Sequence, residues 1–150
     1  MPQSLAKLYV HLVFSTKNRE RIISDAIRPD LHAYMGGILN GLHCSPLEIN
    51  SEPDHTHLLF LLGRTVALSD VVGNVKKSTT DWLRTKGPEF AAFHWQAGYG
   101  AFSVSQSAVE NVRHYIHNQR EHHRTCSFQD EFRSFLTKYE IEFDERYVWD

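Results

Sequence analysis

The stretch SPLEINSEPDHTHLLFLLG (residues 45–63) decides the fold, because it reads as two strands joined by a tight turn at Pro53-Asp54. Side chains on a strand alternate, so His55 and His57 share one face, continued by Leu59 and Leu61. Thr56, Leu58, Phe60 and Leu62 take the other face. Upstream, KLYVHLVFST (7–16) alternates in the same way, Leu8, Val10, Leu12 and Phe14 against Tyr9, His11, Val13 and Ser15, and predicts a first strand. NRERIIS (18–24) is a polar, basic connection. Leu31, Tyr34, Met35, Ile38, Leu39 and Leu42 then recur at spacings of three and four, which predicts an amphipathic helix ending near Gly41. Downstream, Ser69 is the expected N-cap of a second helix carrying Val71, Val72, Val75 and Trp82. FHWQAGYGAFSVS (93–105), aromatic and punctuated by glycine, predicts one or two short strands. A third helix is expected from Ser105 or Ser107 through AVENVRHYIHNQREHH (108–123), and a fourth over SFQDEFRSFLTKY (127–139). The order is βαββαβ followed by helices: an α+β, ferredoxin-like sandwich with an antiparallel sheet and additional C-terminal helices. With no repeat or linker, residues 1–150 read as one domain.

Bulk composition fits that reading. A chain of 150 residues can bury a real core, and 41% hydrophobic with 23% charged residues is ordinary for a globular domain. No apolar run approaches the roughly 20 residues that cross a bilayer, and MPQSLAKLYVHLVFSTKNRER (1–21) lacks a signal-peptide layout. Cys44 and Cys126, far apart, make a disulfide framework a poor expectation, so the cytoplasm is the expected location. The formal charge of −2 argues at face value against nucleic acid, but it is unevenly spread. From Asp130 onward acids outnumber bases by four, which leaves +2 on residues 1–129.

Histidine is a poor choice for the mouth of a buried strand unless something occupies it. Two imidazoles side by side are half of a divalent-metal site. With 10 histidines in the chain such a pair also arises by accident, so the pair alone decides little. Tyr115 and Gln119 stand four apart on the expected third helix, hence on one face. Gln119 offers a carbonyl oxygen to a hard cation, with the Tyr115 phenol beside it; the bland alternative packs the Tyr115 ring and leaves Gln119 in solvent.

Together, PDHTHLLFLL (53–62), VKKSTTDWL (75–83), FHWQAGYGAFSVS and YIHNQREHHRTCSFQDEF (115–132) resemble the single-tyrosine HUH transposases of the insertion-sequence 200/605 family, in order and spacing, from about Tyr9 to Tyr147. The resemblance implies a DNA transposase that binds the single-stranded hairpin ends of an insertion sequence. It implies cleavage and rejoining through a 5′-phosphotyrosine, with Tyr115 as nucleophile and Mg²⁺ or Mn²⁺ held by His55, His57 and Gln119. It also implies a homodimer. One departure is Thr56, where the family carries a bulky hydrophobe; it lies on the face away from the histidines. For DNA contact the expected residues are Lys17, Arg19 and Arg21 after the first strand, Lys76, Lys77 and Arg84 on the second helix, and Arg120, for phosphate neutralisation. Trp95 and Tyr99 are candidates for stacking on bases, with core packing the competing role of Trp95. Gly98 and Gly100 mark either a strand end or a point about which the tyrosine helix swings. Two other functions compete: a domesticated, non-catalytic hairpin-binding protein of the same fold, and an unrelated metallohydrolase using His55 and His57 with His11, His94 or Asp54.

Overall fold

A computed structural model describes residues 2–150. Its elements are β1 (Tyr9–Ser15), α1 (Arg28–Gly41), β2 (Ser45–Glu52), β3 (His55–Leu61), α2 (Leu68–Leu83), β4 (Gly100–Val104), α3 (Val109–His117), α4 (Gln119–His122) and α5 (Phe128–Lys138). The strands form one antiparallel sheet in the order β2-β3-β1-β4, the ferredoxin-like arrangement expected from the element order.

Both faces of this sheet are covered, and each alternating strand divides its side chains between two cores. Val10, Leu12 and Phe14 of β1 and Leu58 and Phe60 of β3 pack with Leu31, Met35 and Leu39 of α1 and Val71, Val72 and Val75 of α2. On the opposite face Val13 packs with Phe102, Phe128, Phe132 and Leu136, while Leu59 packs with Val104, Val109 and Ile116. His11, His55 and His57 lie on this second face, at 2% exposure or less, beneath α3–α5. The C-terminal helices therefore roof the histidines.

Local structure departs from the sequence reading at two points. α2 starts at Leu68 after Ala67, not after Ser69, and no side chain caps it. Leu68 packs against the α1/α2 core, so apolar burial sets the helix start ahead of the available serine cap. The expected third helix is not continuous either: it ends at His117, and Asn118 (φ −95°, ψ 23°) separates α3 from α4. The cause lies on β2. Asn50 Nδ2 donates to the carbonyls of Ile116 (2.8 Å) and His117 (3.2 Å), the acceptors that Arg120 and Glu121 would use in a continued helix. Ser127 caps α5 as a helix of this sequence should be capped, accepting from the Asp130 amide at 3.1 Å.

Gly100 opens β4, and its role is close approach. A Cβ there would lie 2.4 Å from Phe132 Cε2, so only glycine lets α5 settle onto the sheet. Gly98 is likewise packed, 3.2 Å from the Asp150 carbonyl by the same measure.

Candidate functional site

β3 delivers His55 and His57 to the roofed face, and β1 delivers His11 beside them. Each histidine is tied on one nitrogen and directed by it. His55 Nδ1 lies 2.6 Å from Asp54 Oδ1, which aims Nε2 at the α4–α5 side. His57 Nδ1 lies 2.8 Å from His11 Nε2, which aims its own Nε2 toward α5. His123, just past α4, lies 2.6 Å by its Nδ1 from the Cys126 carbonyl and likewise presents Nε2. This is the arrangement by which outer partners fix the orientation of metal-binding imidazoles.

Those three nitrogens converge on Glu131. His57 Nε2 is 2.9 Å and His123 Nε2 3.2 Å from Glu131 Oε1, with His55 Nε2 at 3.5 Å. One ligand atom from each of His55, His57, His123 and Glu131 lies within 4.8 Å of all the others. Gln119 is fully buried and joins them: its Oε1 is 3.3 Å from His55 Nε2 and 2.9 Å from His123 Nε2, and its Nε2 donates to Glu131 Oε2 at 3.2 Å. Tyr115 meets the cluster from α3. Its hydroxyl donates to Glu131 Oε2 and lies 3.3 Å from His122 Nε2.

The electrostatics follow from one buried carboxylate among imidazoles. Burial raises the Glu131 pKa, but the charge of His57 and the hydrogen bonds from His123 and His57 outweigh it and hold the carboxyl far below its ordinary range. Burial lowers His57, and Glu131 only partly offsets it. Burial also lowers His11 well below its usual value, helped by the neighbouring His57. At His123 the burial effect is overcome by the hydrogen bond and charge of Glu131, and the pKa rises. Burial, then the Glu131 charge and hydrogen bond, push the Tyr115 phenol well above its ordinary value. As it stands, Tyr115 is a hydrogen-bond donor.

Of the residues singled out in the sequence, His55, His57, Gln119 and Tyr115 are brought together within one chain. His123 and Glu131 were not among the expected ligands. Glu131 did carry a signal: with Phe128, Phe132, Phe135 and Leu136 it occupies the apolar stripe of α5, where a carboxylate needs a partner. Thr56 faces away from the cluster as expected, hydrogen-bonded to Ser51 Oγ at 2.9 Å. His94 is exposed, with its ring beside Arg84.

The basic residues are unequally placed. Lys17 and Lys77 are exposed, while the Arg19 guanidinium lies 5.6 Å over the Trp149 ring. Arg21 is exposed, 3.9 Å from Asp54. Arg120 pairs with Asp25 at 2.6 Å and Glu52 at 3.5 Å, and Arg84 donates to the Phe93 carbonyl. Lys76 donates to the carbonyls of Gln96, Ala97 and Gly98, and burial lowers its pKa to about 8. It clamps the loop before β4. Trp95 is core: its Nε1 donates to Thr79 Oγ1 and its ring meets Phe14 and Phe93 edge-on. Tyr99 is 40% exposed. Among the described residues no helix is long and apolar enough to cross a membrane.

Several solved chains share this fold, and two of them show the degree of likeness. A crystal structure at 1.90 Å of a protein ascribed to the transposases, from Deinococcus radiodurans R1, superposes with a TM-score of 0.62 at 23% identity, over 79% of this chain and 98% of that one. A REP-associated tyrosine transposase bound to a REP hairpin gives 0.58 at 14% identity, over 82% and 73%. No curated protein sequence matches the chain. The family model described as "Transposase IS200 like" matches residues 4–119, which include His55, His57, Tyr115 and Gln119. With more than three quarters of its length inside that match, the chain belongs to the IS200-like transposase family.

Proposed function

We propose that this protein is a metal-dependent tyrosine transposase that cleaves and rejoins single-stranded DNA carrying a hairpin, acting in the cytoplasm as a homodimer. The carrying observation is that the Tyr115 hydroxyl and the convergent donors of His55, His57, His123 and Glu131 meet in one buried pocket. The solved relative bound to a REP hairpin supports hairpin DNA as the substrate class.

The donor set suits a divalent ion. Three imidazole nitrogens, a carboxylate oxygen and the Gln119 carbonyl favour an ion that accepts nitrogen, so Mn²⁺ fits better than Mg²⁺, which prefers oxygen. When bound, such an ion supplies Lewis-acid stabilisation of charge on the phosphate and the leaving oxygen. The chain's own groups do the rest. Only about 0.1% of an ordinary phenol is ionised at neutral pH, so the nucleophile needs a proton acceptor. His122 Nε2, 3.3 Å from the Tyr115 hydroxyl, is that acceptor, while Glu131, held too far below the ordinary carboxylate range to take the proton, orients the hydroxyl. As the Tyr115 oxygen bonds to phosphorus, the bond to the 3′-oxygen breaks. The phenolic proton passes to His122, and the 3′-oxygen takes a proton from solvent. The products are a 5′-phosphotyrosine and a free 3′-hydroxyl, and the retained phosphodiester-like bond makes rejoining possible without nucleotide fuel.

Substituting Tyr115→Phe tests this. Hairpin binding is expected to stay within a few-fold of the parent while covalent protein–DNA adducts disappear. Multiple-turnover hydrolysis persisting in Tyr115→Phe would instead indicate a metallohydrolase. Tight binding by the parent without cleavage in Mg²⁺ or Mn²⁺ would leave a hairpin-binding module.

A further inference from the structure

A cavity of about 740 Å³ opens beside the imidazole cluster, between the segment after β1, the β2–β3 turn and the α4–α5 connection. Its size falls in the range of small-ligand pockets, roughly 300–1,000 Å³. Asp54 and His123 connect it to the site, since one orients His55 and the other is among the convergent donors. Ile22, Ile23 and Phe128 give it apolar wall, and exposed Arg21 and Arg124 stand along it.

Glu52 also lines this cavity and is only 6% exposed. Arg120 Nε holds its Oε2 at 3.5 Å, but its Oε1 is buried with no hydrogen-bond partner. Buried acceptors are almost always satisfied, and the exceptions need an explanation. As the side chain stands this oxygen is screened from the cavity, and a small turn of the Glu52 carboxylate would present it to a donor brought in by the substrate.

We propose that the cavity is a nucleobase pocket in which Glu52 Oε1 accepts a hydrogen bond from the exocyclic amino group of a cytosine or adenine. This rests on the single-stranded DNA reading given above. The base is an unpaired one flanking the phosphate at the histidine cluster. A carboxylate accepts from cytosine N4 or adenine N6. Uracil and hypoxanthine carry a carbonyl oxygen at that position and would meet Glu52 acceptor to acceptor. Arg120 then acts by holding Glu52 in place through Oε2.

The test compares deoxycytidine with deoxyuridine oligomers of equal length, and deoxyadenosine with deoxyinosine oligomers, by fluorescence anisotropy on the full chain. The parent is expected to prefer the amino-bearing member of at least one pair by about tenfold. In Glu52→Gln, whose amide can donate as well as accept, that preference should fall below about twofold at unchanged melting temperature. Equal affinity within both pairs overturns the proposal, and so does a preference that survives in Glu52→Gln. The parent comparison needs no substitution, so it stands even if the variant folds poorly. Adduct formation is read separately. Adducts without base preference sink the pocket and leave the transposase reading intact; base preference without adducts does the reverse.

Discussion

Glu131 is the residue on which the site turns. Its carboxylate is buried, accepts from Tyr115, Gln119, His57 and His123, and lies among the convergent ligand atoms. Glu131→Gln keeps the shape and removes the charge, so Mn²⁺ affinity measured by calorimetry is expected to drop by at least about tenfold. Elsewhere, His32 makes a sharper pH statement. Burial, then the charge of Arg28, lower its pKa from 6.5 to about 4. The folded state thus binds fewer protons than the unfolded one between those values. The contribution of His32 is fully present above about pH 6.5 and is lost as pH falls toward about 4. Over that window the parent is expected to lose about 1–3 kcal/mol more than His32→Gln, a figure discounted for partial exposure. Urea melts at the two pH values check it. At this scale the strand spacing of His55 and His57 and the four-residue spacing of Tyr115 and Gln119 marked candidates, and the family resemblance gave them roles. The break at Asn118 between the latter two was not part of that reading. Glu131 stood out as a carboxylate on the apolar stripe of α5, but its relation to the histidine pair, like that of His123, exists only after α5 folds back over β3.

Among the elements, α5 is the one whose placement makes the site. Its seat depends on Gly100, where Phe132 comes too close for any side chain. Gly100→Ala is expected to destabilise by about 1–3 kcal/mol through overpacking. In a domain this size, that lowers Tm by about 2–4 °C for each kcal/mol, read by thermal melting. An unchanged Tm would mean that α5 does not bear on β4 as described. The break between α3 and α4 shows why element boundaries were only partly legible. Every residue of AVENVRHYIHNQREHH suits a helix locally, and nothing in that stretch announces an interruption. The signal is Asn50, on a strand more than sixty residues earlier, whose amide takes the carbonyls of Ile116 and His117. The start of α2 was missed for a related reason: packing of Leu68 outranked the capping chemistry of Ser69.

Taken whole, the molecule is a sheet with a structural face and a chemical face. The first is closed by α1 and α2, and the second by α3–α5 over the histidines. The βαββαβ order was readable because hydrophobic periodicity switches cleanly between two and 3.6 along the chain. The roofing of the second face was not, since amphipathic helices say that they pack but not where. The family match ends at residue 119, whereas His123 and Glu131 lie beyond it, so half of the four-residue donor cluster comes from the α4–α5 connection and α5. An ion bound there should tie the sheet to those helices and stabilise the whole fold. Mn²⁺ at about 100 times its dissociation constant is expected to add about 2.7 kcal/mol to unfolding, and much less in His57→Ala. The measurement that goes most directly to the central claim is mass spectrometry of the protein after incubation with hairpin-bearing single-stranded DNA and Mn²⁺. The expected result is a denaturation-resistant nucleotide adduct on the Tyr115 peptide, absent when the metal is chelated. An adduct on another residue, or one formed equally well without metal, would contradict it.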